Sequence, residues 1–196
     1  MATLTEMIKK LRAATGAGVL DSKKALEATG GDYEKAEAIL MEKGLSTAAK
    51  KAEREMKDGR IEAYVHPGNK LVAVVEVSCE TDFVARTEEF IALCHDVAMQ
   101  VAAINPRWVS RDDVPEEIIN QEMEQARADL AGQNKPEAVI AKALEGKMAR
   151  FYQENCLLEQ PFIKDESQTV GQLVTNLVAK LRENVQIQRF ARFKIG

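Results

Sequence analysis

The spacing of the apolar residues changes at Arg60. Before that point apolar side chains such as Leu4, Met7 and Leu11 recur every three or four residues, which is typical of a helix with one buried face. After Arg60 they alternate with polar residues, which is typical of a β-strand with one buried face. Helical spacing then returns for most of the remaining chain. The sequence therefore predicts an α+β fold in which a small sheet follows a helical N-terminal part.

The first 45 residues carry start and stop signals for three short helices. Polar side chains that can accept hydrogen bonds from free helical amides precede each apolar stretch, and glycines follow it. The predicted starts and stops are Thr3 and Gly16, Asp21 and Gly30, and Asp32 and Gly44. Residues 1–45 are therefore predicted to form a three-helix module of the ubiquitin-associated type. Such a module buries little area and gains little stability alone.

A separate connecting helix is predicted over residues 46–59. Ser46 is placed to cap it and Gly59 to follow its end. Its apolar groups are mostly alanines, Ala48, Ala49 and Ala52, beside a run of charged residues. We therefore expect a solvated helix that joins two packed units.

Residues 60–196 are predicted to form the core domain, in which helices pack on a small antiparallel sheet. The segments 61–65 and 71–77 flank a Pro-Gly-Asn turn and predict a β-hairpin. The segment 185–193 alternates in the same way and is expected to return to that hairpin as a third strand. Helices are predicted over residues 87–104, 115–131, 136–154 and 169–182, and an extended segment over 157–163.

Composition argues against several classes of function. A net charge of −4 and a pI near 5.4 disfavour a general nucleic-acid-binding protein, which needs excess Lys and Arg facing phosphate. No apolar run approaches the roughly 20 residues that cross a bilayer, and the first residues lack the pattern of a signal peptide. Three cysteines without paired spacing favour reduced thiols. We therefore expect a cytoplasmic protein that binds neither nucleic acid nor membrane.

No segment of the sequence makes a convincing active site. The glycine-rich turn at residues 15–18 follows a helix rather than a strand, so it is not a dinucleotide-binding turn. His66 and His95 are isolated and no cysteine pair has ligand spacing, so neither a metal nor a cofactor is predicted. A binding protein is therefore the favoured class. A thiol enzyme that uses Cys79 or Cys94 with a histidine is the alternative.

The connector from Cys79 to Arg86 places an aromatic ring beside a carboxylate, at Asp82 and Phe83. It lies between the second hairpin strand and a helix, and it contains neither glycine nor proline. A large apolar side chain on such a connector either folds back onto the core or inserts into a partner. Burial statistics alone favour the first possibility for Phe83.

Several stretches of the chain, in order and over nearly its whole length, together resemble the elongation factor Ts family. They are Leu11-Arg12, Thr15 to Asp21, Lys23 to Leu26, Cys79 to Ala85, Asn105 to Arg107, Leu158 to Phe162 and Glu183 to Phe190. The resemblance implies a guanine-nucleotide exchange factor for elongation factor Tu, the GTPase that carries aminoacyl-tRNA to the ribosome. It implies binding to the GDP-bound and nucleotide-free forms of that partner, without a catalytic site of the chain's own.

The resemblance also implies two contact surfaces. Phe83 is expected to insert between helices of the partner's GTPase domain, with Asp82 beside it, and the loop from Thr81 to Val84 to help displace the magnesium ion. On the N-terminal module the expected contact residues are Arg12, Val19 and Leu20.

Two further expectations concern assembly and an alternative function. The chain resembles the short form of the family, which has one core subdomain, and this implies a homodimer. Ala191 in the terminal strand means that any such dimer is non-covalent there. A second alternative function is an adaptor that binds through the ubiquitin-associated-like module. It expects residues 1–54 to suffice for binding and Phe83 to be buried in the core.

Overall fold

The computed structural model describes residues 3–130 and 136–196, and these form an α+β fold, as predicted. The helices are α1 (Leu4–Thr15), α2 (Val19–Ala28), α3 (Tyr33–Lys51), α4 (Asp82–Ala85), α5 (Glu88–Ile104), α6 (Glu116–Leu130), α7 (Glu137–Asn155) and α8 (Val170–Leu181). The strands are β1 (Asp58–Val65), β2 (Leu71–Cys79), β3 (Pro161–Phe162), β4 (Asp165–Thr169) and β5 (Val185–Lys194). No helix of the described residues is long and apolar enough to span a bilayer.

The main sheet has the strand order β1-β2-β5, with both pairings antiparallel. The predicted hairpin and the returning C-terminal strand are thus confirmed. The register of β2 against β5 shifts between Glu76 and Val77, where Gln188 has no partner. The inner face of the sheet packs against α5 and α8, and it contributes Val75, Val77 and Val185 to the largest buried cluster.

The outer face of the sheet carries apolar side chains in contact with water. Ile61 is 70% exposed, Val65 53% and Phe193 64%. The face of β1 turned toward α5 instead carries Glu62, which lies 3.4 Å from the His95 ring, and Tyr64, which packs against the main core. The alternation of apolar and polar residues therefore predicted the strand β1, but the more apolar face of that strand points away from the core.

The N-terminal module packs around Leu11, Leu26 and Leu40, in agreement with the three predicted helices. The predicted cap of the second helix is wrong. The helix α2 begins at Val19 with Gly18 as its N-cap, two residues before Asp21. The carboxylate of Asp21 is instead 2.6 Å from the ammonium of Lys43 on α3.

The predicted stop at Gly44 and the separate connecting helix are also wrong, because α3 continues without a break to Lys51. A glycine inside a helix costs about 1 kcal/mol relative to alanine, so packing of the helix must offset this cost at Gly44. A β-carbon built on Gly44 would lie 3.8 Å from Thr175 of α8, and Ala48 packs into the main core. Contact between α3 and α8 therefore extends the helix. The division into an N-terminal module over residues 1–45 and a core domain over residues 60–196 stays a prediction.

The remaining elements follow the sequence with two exceptions. The predicted helices over 87–104, 136–154 and 169–182 are present within one or two residues. The helix predicted over 115–131 corresponds to α6, and its predicted last residue, 131, lies outside the described residues. The segment 157–163 is only partly extended, because Leu157–Glu159 form a 3-10 turn in which Leu157 is fully buried. Strand β4 was not predicted, since its five residues are polar and show no apolar alternation.

Candidate partner-binding site

Phe83 projects from a single helical turn, α4, and 83% of its surface is exposed. The next residue, Val84, is only 8% exposed and belongs to the main buried cluster. Successive residues of a helical turn point in directions about 100° apart, so an anchored Val84 directs the Phe83 ring away from the core. Burial of Phe83, which residue statistics favoured and which the adaptor hypothesis required, is wrong.

Thr81 starts this turn. It is the N-cap of α4, and its hydroxyl oxygen accepts a hydrogen bond from the amide of Val84 at 3.4 Å. A second cap follows at once, because Thr87 accepts from the amide of Phe90 and starts α5. The two caps define a short turn between β2 and α5, so the ring is held on an ordered segment.

Glu183 holds the start of the turn from the other end of the chain. Its carboxylate accepts a hydrogen bond from the backbone amide of Thr81 at 3.0 Å and another from the Thr81 hydroxyl at 2.7 Å. In the opposite direction the backbone amide of Asn184 donates to the carboxylate of Glu80 at 2.6 Å. Hydrogen bonds that involve a charged group are stronger than neutral ones. These bonds therefore fix the Phe83 turn to the segment between α8 and β5.

Asn184 extends this connection to the segment that follows α3. The residue is 2% exposed, and its side-chain amide donates to the carbonyl oxygens of Ala52 at 3.2 Å and Arg54 at 3.0 Å. Sequence reasoning gave no role to Glu183 or Asn184, although both lie in a stretch that resembles the family. Their partners are more than 100 residues away, so local spacing carries no signal of these contacts.

Asp82 lies beside the ring and remains accessible. Its carboxylate is 2.9 Å from the guanidinium of Arg86, and the two side chains are 47% and 80% exposed. An exposed ion pair of this kind contributes little to stability, typically about 0–1 kcal/mol. The carboxylate of Asp82 can therefore exchange this partner for another at small cost.

Thiol chemistry at Cys79 is not supported. The residue is fully buried, and its thiol donates a weak hydrogen bond to the carbonyl oxygen of Thr81 at 3.2 Å. Burial, reinforced by the charge of Glu183, raises the pKa of Cys79 to about 11, and burial raises the pKa of Cys94 to about 12. A reactive cysteine needs the opposite shift, since the thiolate is the nucleophile. Among the described residues, no group of three or more His, Cys, Asp or Glu could hold a metal ion.

The residues expected on the N-terminal surface lie around the short connection between α1 and α2. Arg12 is in the last turn of α1, and Val19 and Leu20, which are 50% and 72% exposed, begin α2. Gly16 has a φ of +67°, and a β-carbon there would come within 2.7 Å of the Asn176 carbonyl oxygen of α8. Glycine therefore lets the connection lie directly on α8.

Comparison with known proteins identifies the family to which the chain is similar. The family described as Elongation factor TS matches residues 22–196, which include the whole Phe83 turn and the Glu183 segment. A protein named Elongation factor Ts from Thermodesulfovibrio yellowstonii is 50% identical over 100% of this chain and 98% of its own length. Proteins of the same name from an Anaeromyxobacter species and from Carboxydothermus hydrogenoformans are each 50% identical, over 97% and 98% of this chain and 87% and 88% of their own lengths. The chain therefore belongs to the elongation factor Ts family of translation elongation factors.

Proposed function

We propose that this chain is the guanine-nucleotide exchange factor of elongation factor Tu. It binds the GDP-bound partner, promotes release of GDP and stabilises the nucleotide-free form. The observation that carries the proposal is the Phe83 ring, which is 83% exposed on a turn anchored by Val84 and Glu183. A large apolar ring kept in water on an ordered turn is suited to insertion into another protein.

The geometry favours rapid insertion with little rearrangement. Because the turn is already capped and held by hydrogen bonds, binding orders few further groups of this chain, and so loses little free energy to ordering. The inserted ring supplies apolar burial, and Asp82 can leave Arg86 to accept hydrogen bonds from the partner. Thr81 and Val84 act from within the turn, where they hold the ring in place.

Thermodynamic linkage accounts for the release of nucleotide. A GTPase holds GDP largely through its phosphate-binding loop and the magnesium ion. A ring inserted beside those elements displaces them, so the nucleotide-free partner binds this chain more tightly than the GDP-bound partner does. GDP and this chain must then lower each other's affinity for the partner by the same factor. No covalent step and no catalytic residue of this chain is required.

The N-terminal surface supplies a second contact. Val19 and Leu20 offer exposed apolar area at the start of α2, and Arg12 offers a positive charge at the end of α1. Two contacts on one chain bind more tightly than either contact alone, because the second forms without a further loss of translational freedom. The site of action is the cytoplasm, where the partner works.

Release of fluorescent GDP from elongation factor Tu tests the proposal. The measurement follows the fluorescence decrease after excess unlabelled GDP is added, with and without this chain. We expect substoichiometric amounts of the chain to raise the release rate, because each molecule can act on many partners. A release rate that stays at its spontaneous value at all concentrations would exclude the function.

A homodimer is part of the same proposal. The outer face of the sheet places Ile61 and Val65 of β1 alongside Val74 of β2 and Phe193 of β5, and so presents an apolar surface to water. A second copy can cover this surface by face-to-face packing around a twofold axis. The described cysteines are all buried, so the contact is non-covalent.

Light scattering at micromolar concentration checks the dimer. We expect a mass near twice the 21.7 kDa of one chain. Ile61→Lys should return the mass to that of the monomer without unfolding it, because the residue is 70% exposed in the single chain. A wild-type mass near 21.7 kDa would rule the free dimer out.

A further inference from the structure

A cavity of about 490 Å³ lies where the connection between α1 and α2 meets the C-terminal parts of α3 and α8. Its lining is strongly cationic. The charged side chains around it are Arg12, Lys43, Lys51, Arg54, Lys180 and Arg182, with Asp21 as the single carboxylate. This excess of positive charge stands out in a chain whose net charge is −4.

Three of these six cations have partners. Lys43 pairs with Asp21 at 2.6 Å, Arg54 with Glu80 at 3.5 Å and Lys180 with Glu89 at 3.0 Å. Within residues 3–130 and 136–196, the other three make no ion pair. They are Arg12, Lys51 and Arg182.

The positions of Arg12 and Lys51 have an ordinary explanation. Each lies in the last turn of a helix, where a positive charge interacts favourably with the helix dipole. That explanation suffices for Arg12, which is exposed, and Arg182 is likewise exposed at the C-terminal end of α8. It does not suffice for Lys51, which is only 7% exposed.

The ammonium group of Lys51 is buried without a hydrogen-bond partner among the described residues. An isolated buried charge is costly unless it is paired. Burial, together with the nearby charge of Arg54, lowers the pKa of Lys51. The charges of Glu80 and Glu183 act on this amine, but neither carboxylate forms an ion pair with it. Glu183 accepts hydrogen bonds from Thr81, and Glu80 accepts one from the amide of Asn184.

A helix start also borders the cavity. Gly18 is the N-cap of the ten-residue helix α2 and lines the cavity, and no side chain caps this helix. The first amides of an uncapped helix attract anions through their N–H groups and through the helix dipole. A buried amine without a partner, two unpaired guanidinium groups and an uncapped helix start thus border one space.

We propose that this cavity binds a multiply charged phosphate anion, with Lys51 as its central ligand and Arg12 and Arg182 at its rim. The volume exceeds what one phosphate group needs and lies in the range of small-ligand pockets. The ligand is therefore either a free polyphosphate or the phosphate chain of a nucleotide. The proposal does not depend on the exchange activity, because it concerns the free chain.

Calorimetric titration of the intact chain with tripolyphosphate, in buffer of physiological ionic strength, tests the site. We expect Lys51→Met to weaken binding by about 10- to 100-fold, as for loss of one charge-assisted contact. Arg182→Gln should weaken it as well. The matched control is Lys142→Met, which removes the same charge from an exposed position on α7 and should leave the affinity unchanged.

Folding controls and competing ligands complete the test. Lys51→Met should not lower the melting temperature of the unliganded chain, because it removes an unpaired buried charge and keeps the apolar stem. Binding of GDP comparable to that of tripolyphosphate supports the proposal and assigns the ligand to a nucleotide. Binding of tripolyphosphate without GDP supports it and assigns the ligand to free polyphosphate. Equal affinity of wild type and Lys51→Met, equal binding of sulfate, or no binding at all would overturn it.

Discussion

Replacing Phe83 by alanine should leave the free energy of unfolding of this chain nearly unchanged. A phenylalanine withdraws roughly 200 Å² from water when it is fully buried. At 83% exposure only about one sixth of that area is withdrawn, or roughly 35 Å². At about 25 cal/mol per Å² of apolar area, the expected loss is about 0.9 kcal/mol as an upper bound.

Phe90 offers a matched control, because it is the same residue type seven positions later and is 0% exposed in the main core. Phe90→Ala should cost about 3–5 kcal/mol, as for other buried phenylalanines. Urea unfolding followed by circular dichroism measures both variants. A loss above about 3 kcal/mol for Phe83→Ala would show that the ring is packed in solution, and would refute the argument from exposure.

Three other changes test separate parts of the account. Glu183→Ala should cost about 1–3 kcal/mol of stability and slow GDP release from elongation factor Tu, because it removes both hydrogen bonds that hold Thr81. An unchanged rate of GDP release would mean that the turn needs no such support. Leu20→Ala should weaken binding to elongation factor Tu in calorimetry. The control Leu45→Ala, at another exposed leucine of the N-terminal helices, should leave the affinity unchanged, and equal affinities of the two variants would remove Leu20 from the contact. Cys79 should react with iodoacetamide at pH 7 far more slowly than free cysteine until urea unfolds the chain, because burial raises its pKa to about 11; rapid reaction in the folded state would contradict that environment.

The elements that the sequence predicted well are those with local signals. The predicted cap at Thr3 is confirmed, because Thr3 forms a capping box with Glu6, three residues away, and its effect does not depend on the rest of the fold. The hairpin likewise follows from its turn and alternation. Local physics therefore predicted the fold class and most helix starts.

The sequence did not predict features that depend on contacts between distant parts of the chain. Gly44 has the same local appearance as a helix stop, and only the approach of α8 shows that the helix continues. The outward orientation of Ile61 depends on which face of β1 packs against α5, and the alternation of apolar residues does not specify that face. The bonds from Glu183 to Thr81 span 102 residues. The amine of Lys51, which has no hydrogen-bond partner among the described residues, lines a space bordered by four helix ends.

The central claim is that the Phe83 ring drives GDP release, and one comparison tests it most directly. The rate of fluorescent GDP release from elongation factor Tu is measured with equal concentrations of folded wild-type chain and of Phe83→Ala. Because the ring is exposed and contributes little to stability, both proteins should be folded to the same extent. We predict that the variant loses most of the acceleration, by about tenfold or more, as for removal of a buried aromatic contact at an interface. Equal acceleration by the two proteins would contradict the claim.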